Sequence, residues 1–192
     1  MPLEVEQKYR LENSAEVWQR LAALGARWDA DQQQVDRYFN HPAHDFARSD
    51  EALRIRTIGD NNFITYKGPK LDETTKTRRE IELPLAAGAK AAGQYAELLA
   101  ALGFRFVAEV QKCRRPGRLA WEGFEVQLAW DQIERLGSFL ELELIADETG
   151  QQQAKACLAS LAHALALAQA ERRSYLELLL AADRPAAPAK PC

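Results

Sequence analysis

Two periodicities alternate along the chain: runs in which charged and apolar residues trade places at every second position, and Ala/Leu-rich runs in which apolar residues recur every three to four. The second kind predicts three helices. The first is capped by Ser14, carries Val17, Leu21 and Leu24 as its apolar stripe, and stops at Gly25. The next covers about 89–102 and stops at Gly103. The third covers about 149–168, with Ala154, Cys157, Leu158, Leu161 and Leu165 on one face. The alternating runs predict about eight strands, near 2–11, 34–40, 51–58, 61–68, 77–84, 104–115, 117–130 and 138–145. Turns at Gly59-Asp60-Asn61-Asn62 and Pro116-Gly117 join neighbours directly, so the strands are expected to pair antiparallel. Residues 1–180 read as one domain, and the Ala/Pro-rich stretch 181–192 reads as a disordered tail.

The alternation also sorts charge. Along the first strand Glu4, Glu6, Lys8 and Arg10 share one face, while Leu3, Val5 and Tyr9 share the other. The same parity sets Arg54 and Arg56 against Leu53 and Ile55, and Arg78, Glu80 and Glu82 against Ile81 and Leu83. It places Lys112 and Arg114 together, sets Glu141 and Glu143 against Leu140, Leu142 and Leu144, and adds Lys67 as a further cation. An ordinary antiparallel sheet also turns a polar face to water. Such a face intersperses both signs, however, whereas here two strands offer only cations and one offers only carboxylates. The apolar faces need cover, and three amphipathic helices can provide it. The expected fold is therefore α+β: a closed eight-stranded antiparallel β-barrel with a charged interior and amphipathic helices packed outside.

An enclosed set of like charges repels itself and loses hydration unless something neutralises it. A polyanion with hard metal ions does so economically, since guanidinium and ammonium groups bind phosphate oxygens and carboxylates take Mg²⁺ or Mn²⁺. The rest of the composition narrows the alternatives. With 25 Lys and Arg against 28 Asp and Glu, and no exposed basic and aromatic stripe, nucleic acid is a poor partner. The three cysteines lack paired spacing and the three histidines lack ligand spacing, which disfavours zinc and disulfides and fits a reducing cytoplasmic setting. No apolar run approaches the roughly 20 residues that span a bilayer, so no membrane is expected. Any part of the 154–168 face left exposed is a candidate homodimer surface.

Glu4-Val5-Glu6-Gln7-Lys8 resembles the E-x-E-x-K signature that opens CYTH, or triphosphate-tunnel, proteins. Further segments follow in that family's order: Asp36-Arg37-Tyr38-Phe39, Ala52-Leu53-Arg54-Ile55-Arg56, Thr65-Tyr66-Lys67-Gly68 and Arg78-Arg79-Glu80-Ile81-Glu82. Lys112-Cys113-Arg114, Asp131 to Glu143 and Arg173 to Leu179 complete the series, so the resemblance spans 3–179. It implies a triphosphate tunnel in which Glu4, Glu6, Glu80, Glu82, Asp131, Glu141 and Glu143 supply candidate metal ligands. Lys8, Arg54, Arg56, Lys67, Arg78, Lys112, Arg114 and Arg173 would grip the phosphates, with Arg173 closing one end. Glu4, Glu6, Lys8 and Asp131 are the candidate catalytic group. Trp130 departs from the aliphatic residue common before the aspartate. The implied function is a Mg²⁺- or Mn²⁺-dependent enzyme acting on a small triphosphate, with adenylyl cyclase chemistry first. Hydrolysis of thiamine triphosphate, inorganic triphosphate or a nucleotide is the alternative, followed by a non-catalytic binding module.

Overall fold

A computed structural model of the protein describes residues 3–70, 78–147 and 149–183. Nine strands form one antiparallel sheet: β1 (Leu3–Arg10), β2 (Arg27–Trp28), β3 (Gln32–Asn40), β4 (Ala52–Ile58), β5 (Asn61–Lys67), β6 (Glu80–Leu85), β7 (Arg105–Trp121), β8 (Phe124–Ile133) and β9 (Gly137–Ala146). Eight lie in the order β1-β9-β8-β7-β3-β4-β5-β6, and the short β2 pairs with β7 off that path. The sheet curls into a half-barrel whose end strands meet through a single antiparallel bridge, Glu4 to Arg78, and no described ladder joins them. Residue 77 of the predicted strand and the tail beyond 183 lie outside the described residues.

The helices are α1 (Ser14–Ala23), α2 (Phe46–Ser49), α3 (Ala89–Ala101), α4 (Gln151–Ala164) and α5 (Tyr175–Ala182). Three cover the outer face as the pattern requires. Val17 and Leu21 of α1 and Ala154, Leu158 and Leu161 of α4 bury the outward side chains Val5, Val126, Leu128, Leu140, Leu142 and Leu144. Leu99 of α3 joins Phe39, Leu53 and Ile55 in a second outer cluster. Together these two clusters supply hydrophobic stabilisation from the outer face of the sheet. No helix among the described residues is long and apolar enough to cross a membrane.

Several local expectations are corrected. The chain does not turn at Pro116-Gly117; β7 runs straight through both, and the hairpin turns at Glu122 and Gly123, where φ is 46° and 84°. Gly117 serves close packing, because a Cβ there would stand 2.5 Å from the Trp28 ring and 2.7 Å from the Arg27 carbonyl oxygen. The cap of α1 is Asn13, whose side-chain oxygen accepts from the Glu16 N–H at 3.3 Å, so Ser14 is already helical. The helix begun near 149 ends at Ala164, and Ala166 follows at φ 53°. Ala181 and Ala182 end α5 and so do not belong to a tail.

The fifth helix is also placed differently from the others. A reciprocal capping box of Ser174 and Glu177 starts it. Tyr175 and Leu178 then pack on the inward side chains Tyr38, Val110, Ile133 and Phe139, which closes one end of the half-barrel with an apolar plug.

Candidate functional site

Residues paired across neighbouring strands share a face, so the register decides what the interior holds. Glu6 lies opposite Glu143 and Lys8 opposite Glu141 on β1 and β9. Arg114 lies opposite Asp131 on β7 and β8, Asp36 opposite Arg56 on β3 and β4, and Arg54 opposite Thr65 on β4 and β5. Lys67 faces Glu80 and Thr65 faces Glu82 across β5 and β6. The sorted charges converge on one cavity of about 460 Å³, lined by Glu4, Glu6, Lys8, Arg54, Arg56, Lys67, Arg78, Glu80, Glu82, Lys112, Arg114, Glu141 and Glu143.

The cations on β4 and β7 are backed by buried aspartates. Asp131, 0% exposed, receives Arg114 Nε at 2.6 Å on Oδ1 and Arg114 Nη2 on Oδ2. Arg114 also bonds Glu141. Asp36, 1% exposed, receives Arg56 Nε at 2.6 Å and Nη2 at 2.7 Å, with Arg54 Nη1 at 3.4 Å. Burial alone would raise the Asp36 carboxyl, but Arg54 and Arg56 overcome it and hold it far below the usual carboxylate range. Burial would lower Arg54, yet Asp36 opposes that and its affinity for the proton rises instead. Lys112 behaves the other way: burial first, then the neighbouring Arg114, brings it down to about 7, against the pull of Asp131 at 3.7 Å.

The acids on β1, β6 and β9 crowd one another. Lys67 Nζ reaches Glu80 at 2.6 Å and Glu4 at 3.3 Å, and burial, which would lower that lysine, loses to these carboxylates. Burial raises Glu4 in spite of Lys67; burial would raise Glu80 too, but Glu4, Lys67 and Arg54 overcome it and take that carboxyl below its ordinary value. Glu143 is pushed up to about 8, by burial first and then by Glu4 and Glu6.

A profile of the CYTH domain matches residues 2–175. The chain belongs to the CYTH family. A Methanocaldococcus jannaschii relative, provisionally named an adenylate cyclase, is 35% identical over 179 residues, 92% of this chain and 98% of the relative. The adenylate cyclase CyaB of Aeromonas hydrophila is 32% identical over 185 residues, 91% of this chain and 87% of its own length. The solved structure of the PH1819 protein of Pyrococcus horikoshii superposes at a TM-score of 0.80 with 37% identity, covering 93% of this chain and 98% of that one. A Hippeastrum protein described as having a dominant triphosphatase activity shares the fold at a TM-score of 0.63 and 18% identity, over 97% of this chain and 98% of its own.

Two residues singled out within the CYTH pattern stand apart from the cavity lining. Asp131 lies behind Arg114, its Oδ2 also accepting from the Tyr175 hydroxyl at 2.8 Å. Arg173 turns its side chain to Glu171, over half exposed, and contributes its carbonyl oxygen instead, which accepts from Lys8 Nζ at 2.5 Å. The strand pattern missed Tyr38, Thr65, Ser174 and Tyr175, which line the cavity, and Asp36 behind it. The Tyr175 ring sits 3.9 Å from Lys8 Nζ and 5.2 Å from Lys112 Nζ, so its electron-rich face holds both ammonium groups.

The carboxylates fit a hard divalent cation by donor chemistry: crowded oxygen ligands, one of them, Glu143, pushed up to about 8 by burial and then by its acidic neighbours. Among the described residues no three of them already converge on a single point. An ion such as Mg²⁺ takes one or two carboxylates and completes its shell with water and phosphate oxygens.

Proposed function

We propose that this CYTH protein is a divalent-metal-dependent enzyme acting on a triphosphate, and that its reaction is conversion of ATP to cyclic AMP and pyrophosphate. The observation that carries the reading is the single cavity in which cations stand along β4 and β7 and carboxylates along β1, β6 and β9. Its volume of about 460 Å³ suits a small molecule. Among the described residues seven cations and six carboxylates line it, with Asp36 and Asp131 behind, so these groups together give a triphosphate no net positive charge to approach. A bound Mg²⁺ or Mn²⁺ at Glu4, Glu6 and Glu143, with Glu80, Glu82 and Glu141 as further ligands or supports, would supply that charge and lower the nucleophile's pKa.

Lys8, Arg54, Arg56, Lys67, Arg78, Lys112 and Arg114 hold the phosphate chain and fix the α-phosphorus for in-line attack by the ribose 3′-hydroxyl. Charge then develops on the departing pyrophosphate, and the guanidiniums, already set by buried carboxylates, stabilise it without reorganising. The plug formed by α5 shields that end of the tunnel from water, which favours the hydroxyl over hydrolysis. The names of the relatives support the cyclase reading. A triphosphatase remains the second reading, favoured by the lining itself: among the described residues it offers an adenine, beyond its charges, only Tyr38, Ala52, Ile145 and Tyr175 as apolar surface.

The test is incubation with Mg²⁺ or Mn²⁺ and, separately, ATP, thiamine triphosphate and inorganic triphosphate. Cyclic AMP with stoichiometric pyrophosphate is the expected product from ATP. Orthophosphate without cyclic AMP establishes the hydrolase, and binding without turnover refutes both.

A further inference from the structure

Asp36 occupies β3 between the two strands that carry the cations, β4 and β7. It does not line the cavity, and it is 1% exposed. Its contact with Arg56 is side-on, through Nε at 2.6 Å and Nη2 at 2.7 Å, which leaves Nη1 of that guanidinium for the cavity. Arg54 leans on the same carboxylate at 3.4 Å, and its buried Nε has no hydrogen-bond partner in the structure. A donor left over in a site this enclosed is costly unless a ligand oxygen completes it.

We propose that Asp36 is a positioning residue for phosphate recognition, setting the Arg56 fork and drawing Arg54 beside it so that their remaining N–H donors meet the substrate already ordered. The inference rests on the phosphate-binding reading of the tunnel and extends it to a residue one layer behind the lining. Long arginine side chains lose rotamer freedom when they grip a ligand, and a carboxylate that fixes them beforehand removes that cost from binding.

Positioning and simple charge balance predict opposite signs. If Asp36 only offset positive charge, Asp36→Asn would leave the cavity more cationic and bind a polyanion more tightly. If it positions, the same variant binds more weakly, because two guanidiniums lose their anchor. The probe is imidotriphosphate, an analogue resistant to hydrolysis, titrated calorimetrically in Mg²⁺ buffer against wild type, Asp36→Asn and Asp36→Glu. We expect Asp36→Asn to weaken binding about tenfold or more, since charge-assisted bidentate geometry is lost. Asp36→Glu keeps the charge but displaces the fork by one methylene, and it is expected to weaken binding as well. That variant reports the result if Asp36→Asn does not fold, as checked by circular dichroism. Under turnover, KM should rise while the Mg²⁺ activation midpoint stays, because Asp36 lies away from the acidic strands. Wild-type affinity in Asp36→Glu, or equal or tighter binding in Asp36→Asn, overturns the inference alone. No binding by wild type overturns the tunnel reading, and this inference with it.

Discussion

Along β4 and β7, Arg54, Arg56 and Arg114 each have a carboxylate within reach, and two of those carboxylates are buried where no solvent competes. Along β1 and β9, Glu4 and Glu6 crowd Glu143, with Lys67 as a near counter-charge to Glu4. Both walls come from the same strand parity, yet the arginines of the basic wall are the more nearly finished electrostatically and the acidic wall the less. A finished wall is rigid and preorganised, which is what recognition of a fixed phosphate geometry needs. An unfinished wall holds protons it would exchange for a cation, which is what a metal site needs. The outer face shows the contrast again: all three helices that cover it bury aliphatic side chains, so the apolar packing there makes no use of the interior charges.

The comparison breaks most visibly at Glu143. Its replacement by Gln should lower kcat about 100-fold or more, because the acidic wall then loses a ligand. Urea and thermal melts should show stability unchanged or raised, since a crowded carboxylate has gone. A drop in stability with normal activity would reverse the roles assigned to this wall. Arg114→Ala should do the opposite on the basic wall. Asp131 is left buried without its fork, and unfolding free energy should fall by about 3 to 5 kcal/mol, measured by denaturant titration, alongside a raised KM.

Gly117→Ala tests the division between outer scaffold and inner chemistry. The new methyl would enter the Trp28 ring, so stability should drop by about 1 to 3 kcal/mol while kcat and KM hold in the folded fraction. Loss of activity without loss of stability would mean that the β2 contact reaches the site. The smallest effects are protonic, and they have opposite signs on the two walls. Lys112 sits at about 7, so between roughly pH 7 and 9 it is largely neutral, and a bound phosphate that favours its charged form should take up a proton. Glu143 sits at about 8, so below that pH it is largely protonated, and Mg²⁺ should displace a proton from it. Calorimetry at pH 7.5 in buffers of different ionisation enthalpy, a pH chosen as about midway between these values, should show uptake with analogue and release with metal. The same sign for both would erase the distinction.

How much of this the sequence discloses follows from what each feature depends on. Parity assigns twelve of the charged lining side chains, from Glu4 to Glu143, because a strand cannot turn two neighbours the same way, but it also puts Arg10 on that face, and Arg10 is exposed and does not line the cavity. Asp36 escaped, since it shares its face with Gln34 and Tyr38 and carries no run of like charge to announce it. The Pro116-Gly117 pair looked like a turn because its packing partner, Trp28, lies far away in the chain. For α5 the signal was present in Ser174 and Glu177, but the leucine-rich stretch after them shows no polar face, and its burial against Tyr38 and Phe139 is a tertiary fact. Depth was illegible too: the family resemblance names Asp131, yet only the contact with Arg114 shows that it stands behind that guanidinium.

The most direct measurement is the anomalous scattering of Mn²⁺ in crystals grown with imidotriphosphate. The account predicts a manganese peak inside the tunnel against Glu4, Glu6 or Glu143, with phosphate density against Arg54, Arg56 and Arg114 across the cavity. Manganese bound only on the outer surface, or phosphates lying along the carboxylate strands, would contradict it.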